Sequence, residues 1–184
     1  MVHRHEKSDD GTYVEDFGRY YEEFTVGDVY EHRPGRTITQ TDNVWFTLLS
    51  MNQNPLHFDE VHSADTEFGE PLVDSTLTLA IVTGMSVSDV SYKTVANLGW
   101  DEVRLPNPVF EGDTIYARSE VVSKRESESR DGEGIVTVET EGYNQDGETV
   151  ITFERTLLIP FEDASDGTSE GASEGSSGED RADG

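Results

Sequence analysis

Apolar and polar positions along this chain switch between two periods, and the switches outline its elements. Residues 31–39 alternate with period two after the turn at Val26-Gly27-Asp28, which predicts a first strand. Thr41 or Asp42 can then cap a short helix through Leu49, with Val44, Trp45, Leu48 and Leu49 on one face. Pro55 stops that helix, because it lacks an N–H and forces Asn54 into an extended conformation. A second short helix is expected over 60–67, capped by Asp59 and ended by Gly69 and Pro71. Residues 72–90 are apolar nearly all round, which predicts a buried central helix capped by Asp74 or Ser75. Four strand-like runs follow, over 92–103, 114–124, 134–144 and 149–159, and Gln145-Asp146-Gly147-Glu148 turns the last two into a hairpin. One long helix against one antiparallel sheet is an α+β arrangement.

Charge changes the picture next. There are 39 Asp and Glu against 13 Lys and Arg, a net −26. Residues 162–184 hold eight acids and one base, so −19 remains on the first 161 residues. Such a surface repels nucleic acid and anionic membranes, and it calls for salt to screen it. An organism with a salt-rich cell interior is the expected source. Residues 162–184 read as a disordered acidic tail, residues 1–18 as a loosely held lead-in, and 19–161 as one domain. Cysteine is absent, which excludes disulfides and a thiol nucleophile. With no apolar run near the ~18 residues of a membrane span and no apolar signal region, a cytoplasmic protein is expected.

The chemistry concentrates in Asn52-Gln53-Asn54-Pro55-Leu56-His57-Phe58-Asp59. A loop stiffened by Pro55 can hold an imidazole and two amides in fixed geometry beside the start of a buried helix. Histidine is suited to proton transfer near neutral pH, and amides can orient a water. Backbone N–H groups near Ser75 and Thr76 can stabilise an oxyanion. These are the parts needed to add water across a double bond conjugated to a thioester.

The loop resembles that of the MaoC-like, (R)-specific enoyl-CoA hydratase family, which reads Asp-x-Asn-Pro-Leu/Ile-His followed by Asp. Phe68-Gly69-Glu70-Pro71-Leu72-Val73 and Pro108-Val109-Phe110-Glu111-Gly112-Asp113 are similar to two further family motifs, in the same order. The resemblance spans residues 20–160 and implies a hot-dog fold, with the sheet wrapped around the central helix. It also implies an acyl-CoA substrate, no cofactor beyond the CoA that the substrate carries, and a homodimer or assembly of dimers with CoA between subunits. Met51-Asn52, Leu56-His57-Phe58-Asp59 and the basic run from Ser123 look like the branch linked to mesaconyl-CoA and itaconyl-CoA hydration, which in salt-loving archaea serves the methylaspartate route of acetyl-CoA assimilation.

Two departures stand out. Asn52 occupies the place of the family's catalytic Asp, and Asp74-Ser75 replaces a His-Gly at the helix start. Either His57 is the base alone, with Asn52 and Asn54 holding the water, or Asp74 supplies the missing carboxylate; His57 supported by Asp74 is the favoured arrangement. Asp74 serves equally as a helix cap. Thr83 lines up with a family serine that faces the site, with core packing as the equal competitor. Lys124, Arg125 and Arg130, three bases within seven residues, suit a CoA phosphate or a substrate carboxylate, as does Arg104 beside Pro106; solvated ion pairs are the competing role. His3, His5, His32 and His62 have no such setting, and no metal-ligand spacing is present.

Two other functions share these features. A hot-dog thioesterase would keep the fold, but residues 76–87 contain no carboxylate on the central helix. A non-catalytic acyl-CoA-binding subunit is the other alternative, suggested by the Asn at position 52.

Overall fold

The computed structural model describes residues 4–165. The lead-in is not without structure: β1 (Arg4–Lys7) and β2 (Tyr13–Asp16) form an antiparallel hairpin apart from the main sheet. Behind it the Gly18 N–H donates to the Ser88 carbonyl, and the Arg19 guanidinium reaches the Asp89 carbonyl. The acidic run beyond residue 165 lies outside the described residues.

β3 (Val29–Thr37) precedes α1 (Gln40–Ser50). The cap of α1 is Thr39, not Thr41 or Asp42. Its side chain accepts from the Asp42 N–H while the Asp42 carboxylate accepts from the Thr39 N–H, so Asp42 is the far half of a capping box. After a 3₁₀ turn at Pro55–His57 comes α2 (Glu60–Ala64), capped by Asp59 as expected. The central helix is α3 (Ser75–Met85), shorter than its apolar run because residues 87–91 widen into a π-helical turn. β4 (Ala96–Arg104), β5 (Thr114–Glu126), β6 (Glu133–Tyr143) and β7 (Thr149–Pro160) follow, and α4 (Glu162–Ser165) ends the described chain. Gly147, at a φ of 80°, makes the β6–β7 turn, and the Asn144 side chain accepts from the N–H groups of Asp146 and Glu148.

The main sheet has the order β3-β5-β6-β7-β4, antiparallel throughout, with α3 against one face. This is the hot-dog fold. Alternation puts Ile115, Ala117 and Val121 of β5 and Ile151, Phe153 and Leu157 of β7 inside, while Val150, Leu158 and Ile159 bury both faces at the ends of β7. Leu77 and Val82 of α3 meet Ile115, Ile151 and Phe153 at one end, while Val90 meets Val121, Val136 and Leu157 at the other.

On α1 the expected apolar face is turned outward. Trp45, Leu48 and Leu49 are 66%, 73% and 79% exposed, whereas Asn43 and Thr47 are buried. Burying an amide costs free energy unless it is bonded. Asn43 is bonded on three sides, and those bonds belong to the site.

Candidate active site

Met51 ends α1 in the left-handed conformation, at a φ of 58°, and turns the chain into the Asn-rich loop. The Asn52 side-chain carbonyl accepts from the Asn54 N–H at 3.1 Å, and that of Asn54 accepts from the Leu56 N–H at 3.1 Å. Each amide therefore fixes the backbone two residues on, and Pro55 opens the 3₁₀ turn that ends at His57.

His57 is half-buried. Its Nδ1 lies 2.9 Å from the Leu72 carbonyl oxygen. A carbonyl can only accept, so Nδ1 carries a proton, and in the neutral ring the lone pair is then on Nε2. Leu72 is itself tied back, since its N–H donates to the Leu56 carbonyl at 3.0 Å. The loop and the strand-like lead into α3 thus set the tautomer of the ring between them.

Asp74, 2% exposed, caps α3 and accepts from the Thr76 N–H at 2.8 Å and from the Thr76 hydroxyl. Asn52 crosses from the loop and donates Nδ2 to the other carboxylate oxygen at 2.6 Å. Burial pushes the Asp74 carboxyl up, but the bonds from Thr76 and Asn52, with His57 nearby, more than offset it and hold it below its ordinary value. The site therefore pairs a fixed anion with an imidazole whose outer nitrogen can take a proton. At Glu111 burial prevails: its carboxyl is pushed up, with Glu60 and Glu70 adding to the effect and the Asn43 amide opposing it.

The structure brings Asn52, Asn54, His57, Asp74, Ser75 and Thr76 together. The Thr76 N–H is occupied by Asp74, so it is a capping donor and not a free oxyanion donor. Ser75 opens on a cavity of about 300 Å³ that Phe68, Thr78, Leu105 and Pro106 also line. A second cavity, of about 380 Å³, flanks Asn52 between Leu48, Met51 and Phe58. Both are of a size to hold part of a ligand. Thr83 lies two turns further along α3, its hydroxyl buried without a hydrogen-bond partner in the described residues.

The basic candidates are elsewhere. Lys124 donates to the carbonyls of Tyr21 and Phe24 at 3.0 and 2.8 Å, 4.2 Å above the Tyr21 ring. Arg125 reaches the Glu126 carbonyl, and Arg130 pairs with Glu133 at 3.5 Å. Lys124 and Arg125 lie in the last three residues of β5 and Arg130 beyond it, about 30–40 Å of strand from Thr114. Within one chain they do not join His57. Arg104 is exposed and turned to Glu102, one residue before the cavity-lining Leu105.

Sequence reasoning passed over three buried polar groups. Asn43 donates Nδ2 to the carbonyls of His57 and Leu72, at 2.8 and 3.1 Å, and accepts from the Asp74 N–H at 2.9 Å. Its spacing of four from Thr47 was the available signal, since the two share a helix face. His32 lies fully buried between Asp89 (3.1 Å) and Ser119 (2.8 Å). Arg155, 2% exposed, donates to the Ser86 hydroxyl at 2.9 Å, and burial brings its guanidinium down to about 10.

Against known proteins, the family model for mesaconyl-CoA hydratase matches residues 4–184. A mesaconyl-CoA hydratase from Haloarcula marismortui is 35% identical over 144 residues, covering 78% of this chain and 40% of that protein. The chain spans about two-fifths of the length of the curated mesaconyl-CoA hydratases it matches. Among solved structures, the Archaeoglobus monoamine oxidase regulatory protein superposes with a TM-score of 0.71 at 36% identity, over 78% of this chain and 95% of that one. The (R)-hydratase of A. caviae involved in PHA biosynthesis gives 0.63 at 26% identity, over 76% and 99%.

Proposed function

Because the chain belongs to the mesaconyl-CoA hydratase family, we propose that it hydrates a 2-enoyl-CoA thioester reversibly, with mesaconyl-CoA as the preferred substrate and β-methylmalyl-CoA as the product. The observation that carries the reading is the Leu72 carbonyl on His57 Nδ1, which leaves Nε2 as a base. In the forward step Nε2 takes a proton from water. The water oxygen bonds to the β-carbon, and the π electrons move to the thioester oxygen as an enolate. The imidazolium then returns the proton to the α-carbon, so the sum is the addition of one water. Asp74, held ionised, stabilises the imidazolium, and Asn52 and Asn54 keep carboxylate and ring in register. The positive end of α3, where Ser75 meets the cavity, favours the enolate oxygen.

The reading takes residues 19–161 as the catalytic unit, in the cytoplasm, with no cofactor beyond the CoA of its substrate. Its relatives are nearly twice as long, so a second copy would supply what their remaining length holds. In such a homodimer Lys124, Arg125 and Arg130 would meet the CoA phosphates only from the partner, and Arg104 would take the free carboxylate of the acyl group. Thr83 and Thr76 would line the acyl path.

The presence of Asn52 favours one competing role, an acyl-CoA-binding subunit without turnover. Incubation with mesaconyl-CoA, itaconyl-CoA and crotonyl-CoA in concentrated KCl, followed by mass analysis, separates the two. The gain of one water, largest for mesaconyl-CoA, is expected. Binding without any change of mass in all three would overturn hydration.

A further inference from the structure

Three hydrogen bonds from one buried amide hold the reactive parts together. Asn43 is fully buried on the inner face of α1, and none of its partners is on that helix. Its Nδ2 donates to the carbonyls of His57 (2.8 Å) and Leu72 (3.1 Å), with the Glu111 carboxyl also within its reach, and its Oδ1 receives the Asp74 N–H (2.9 Å). These partners are the backbone of the proposed base, the carbonyl that fixes the base's tautomer, and the backbone of the anion beside it. Left alone, a neutral imidazole favours the proton on Nε2, which would abolish the lone pair that hydration needs. The bond from Nδ1 to Leu72 reverses that preference only while ring and carbonyl stay in register.

We infer that Asn43 is a positioning residue that holds His57 in its Nδ1–H tautomer by clamping the His57 and Leu72 backbones to the Asp74 cap. This rests on the reading of His57 as the base, but its structural half stands without substrate. A side chain serving only the packing of α1 would need no donor aimed at residues 57 and 72. The amide touches no substrate atom; it acts through the ring. The displacement such a clamp prevents is small, yet misplacement of a reacting group by about 1 Å costs about 100-fold in rate.

The test uses the full chain with ¹⁵N-labelled histidine, and Asn43→Ala and Asn43→Ser variants. His57 ring signals are assigned by their loss in His57→Gln. In the substrate-free parent, long-range ¹H–¹⁵N spectra are expected to show the Nδ1–H tautomer alone. In Asn43→Ala the Nε2–H form is expected to appear, kcat to fall about 100-fold and KM to change by less than about threefold. Asn43→Ser, which keeps a hydroxyl and leaves room for a water, is expected to fall between the two in both readouts, and it carries the test if the alanine variant does not fold. An Nε2–H tautomer in the parent overturns the clamp, as does a folded Asn43→Ser with an unaltered tautomer and full kcat. If the parent hydrates no acyl-CoA, the functional reading fails, while the tautomer measurement still decides the clamp.

Discussion

The two ends of α3 each bring a histidine near an aspartate, and the two arrangements are opposites. At the N-terminal end His57 has Nδ1 bonded to the Leu72 carbonyl and Nε2 without a hydrogen-bond partner among the described residues, near the ionised Asp74, and its neighbours Leu72, Ser75, Asn52 and Phe58 line two cavities. At the C-terminal end His32 has both nitrogens occupied, Nδ1 by Asp89 and Nε2 by Ser119, whose hydroxyl meets that of Thr140 at 2.8 Å. Ser, His and Asp in a row have the residue types of a nucleophilic triad, but Ser119 and His32 are wholly buried. On the proposed reading, what would make one imidazole reactive and the other structural is the nitrogen left unbonded, not the identity of the neighbours.

Exchanging each ring for a methyl group should pull the two ends apart most strongly. His57→Ala is expected to lower kcat by about 10²–10⁴-fold with little change in melting temperature. His32→Ala is expected to lose about 2–4 kcal/mol of stability, through a cavity and the unpaired Asp89 and Ser119, while the folded fraction keeps its kcat. Hydration assays beside urea titrations check both, and the contrast fails if the two variants lose the same property.

Acid sharpens the same contrast. Burial lowers the His32 pKa below 6.5, partly opposed by the bond to Asp89. Its contribution is thus fully present above the unfolded value and is lost as the pH falls from there through the folded value. The slope is at most about 1.4 kcal/mol per pH unit for one proton. The urea midpoint should therefore drop between pH 7 and 5, and less steeply in His32→Gln. An equal slope in both proteins would remove His32 as the cause.

Arg155 allows a subtler cut at the closed end. Ser86→Ala removes the hydroxyl its guanidinium bonds, for an expected loss of about 1–3 kcal/mol. Arg155→Met takes the buried charge away and should cost less, or even stabilise. Melting curves of the two variants rank them, and the reverse order would mean that the guanidinium has a partner worth more than its burial costs.

The smallest effect expected per charge is that of salt. With a net −26, melting temperature should fall steadily as KCl is reduced from molar to about 0.1 M. A flat series would count against adaptation to a salt-rich interior.

Much of this was legible in the chain. Period-two runs gave β5, β6 and β7 within two residues, the Asp-Gly turn gave their hairpin, and Asp59 and Asp74 were found as caps because their signals lie within three residues of what they bond. The face of α1 was not legible. Apolar periodicity put Trp45 and Leu48 inward, yet the buried residues are Thr47 and Asn43, the latter made tolerable by partners 14, 29 and 31 positions away. Nor does local sequence tell that Lys124 faces carbonyls at the wrong end of β5, or that Arg155 lies under α3. Distance along the chain hides polar burial far better than it hides strands.

The seat of Lys124 has a consequence for a molecule so short of cations. An ammonium that faces a carboxylate across open water loses its attraction as brine thickens, the screening length shrinking to about 3 Å at 1 M. This one rests on two backbone oxygens with an aromatic ring beneath, and no mobile ion fits between them. The rivet that fastens residues 21–24 to the sheet is therefore one that concentrated electrolyte does not loosen.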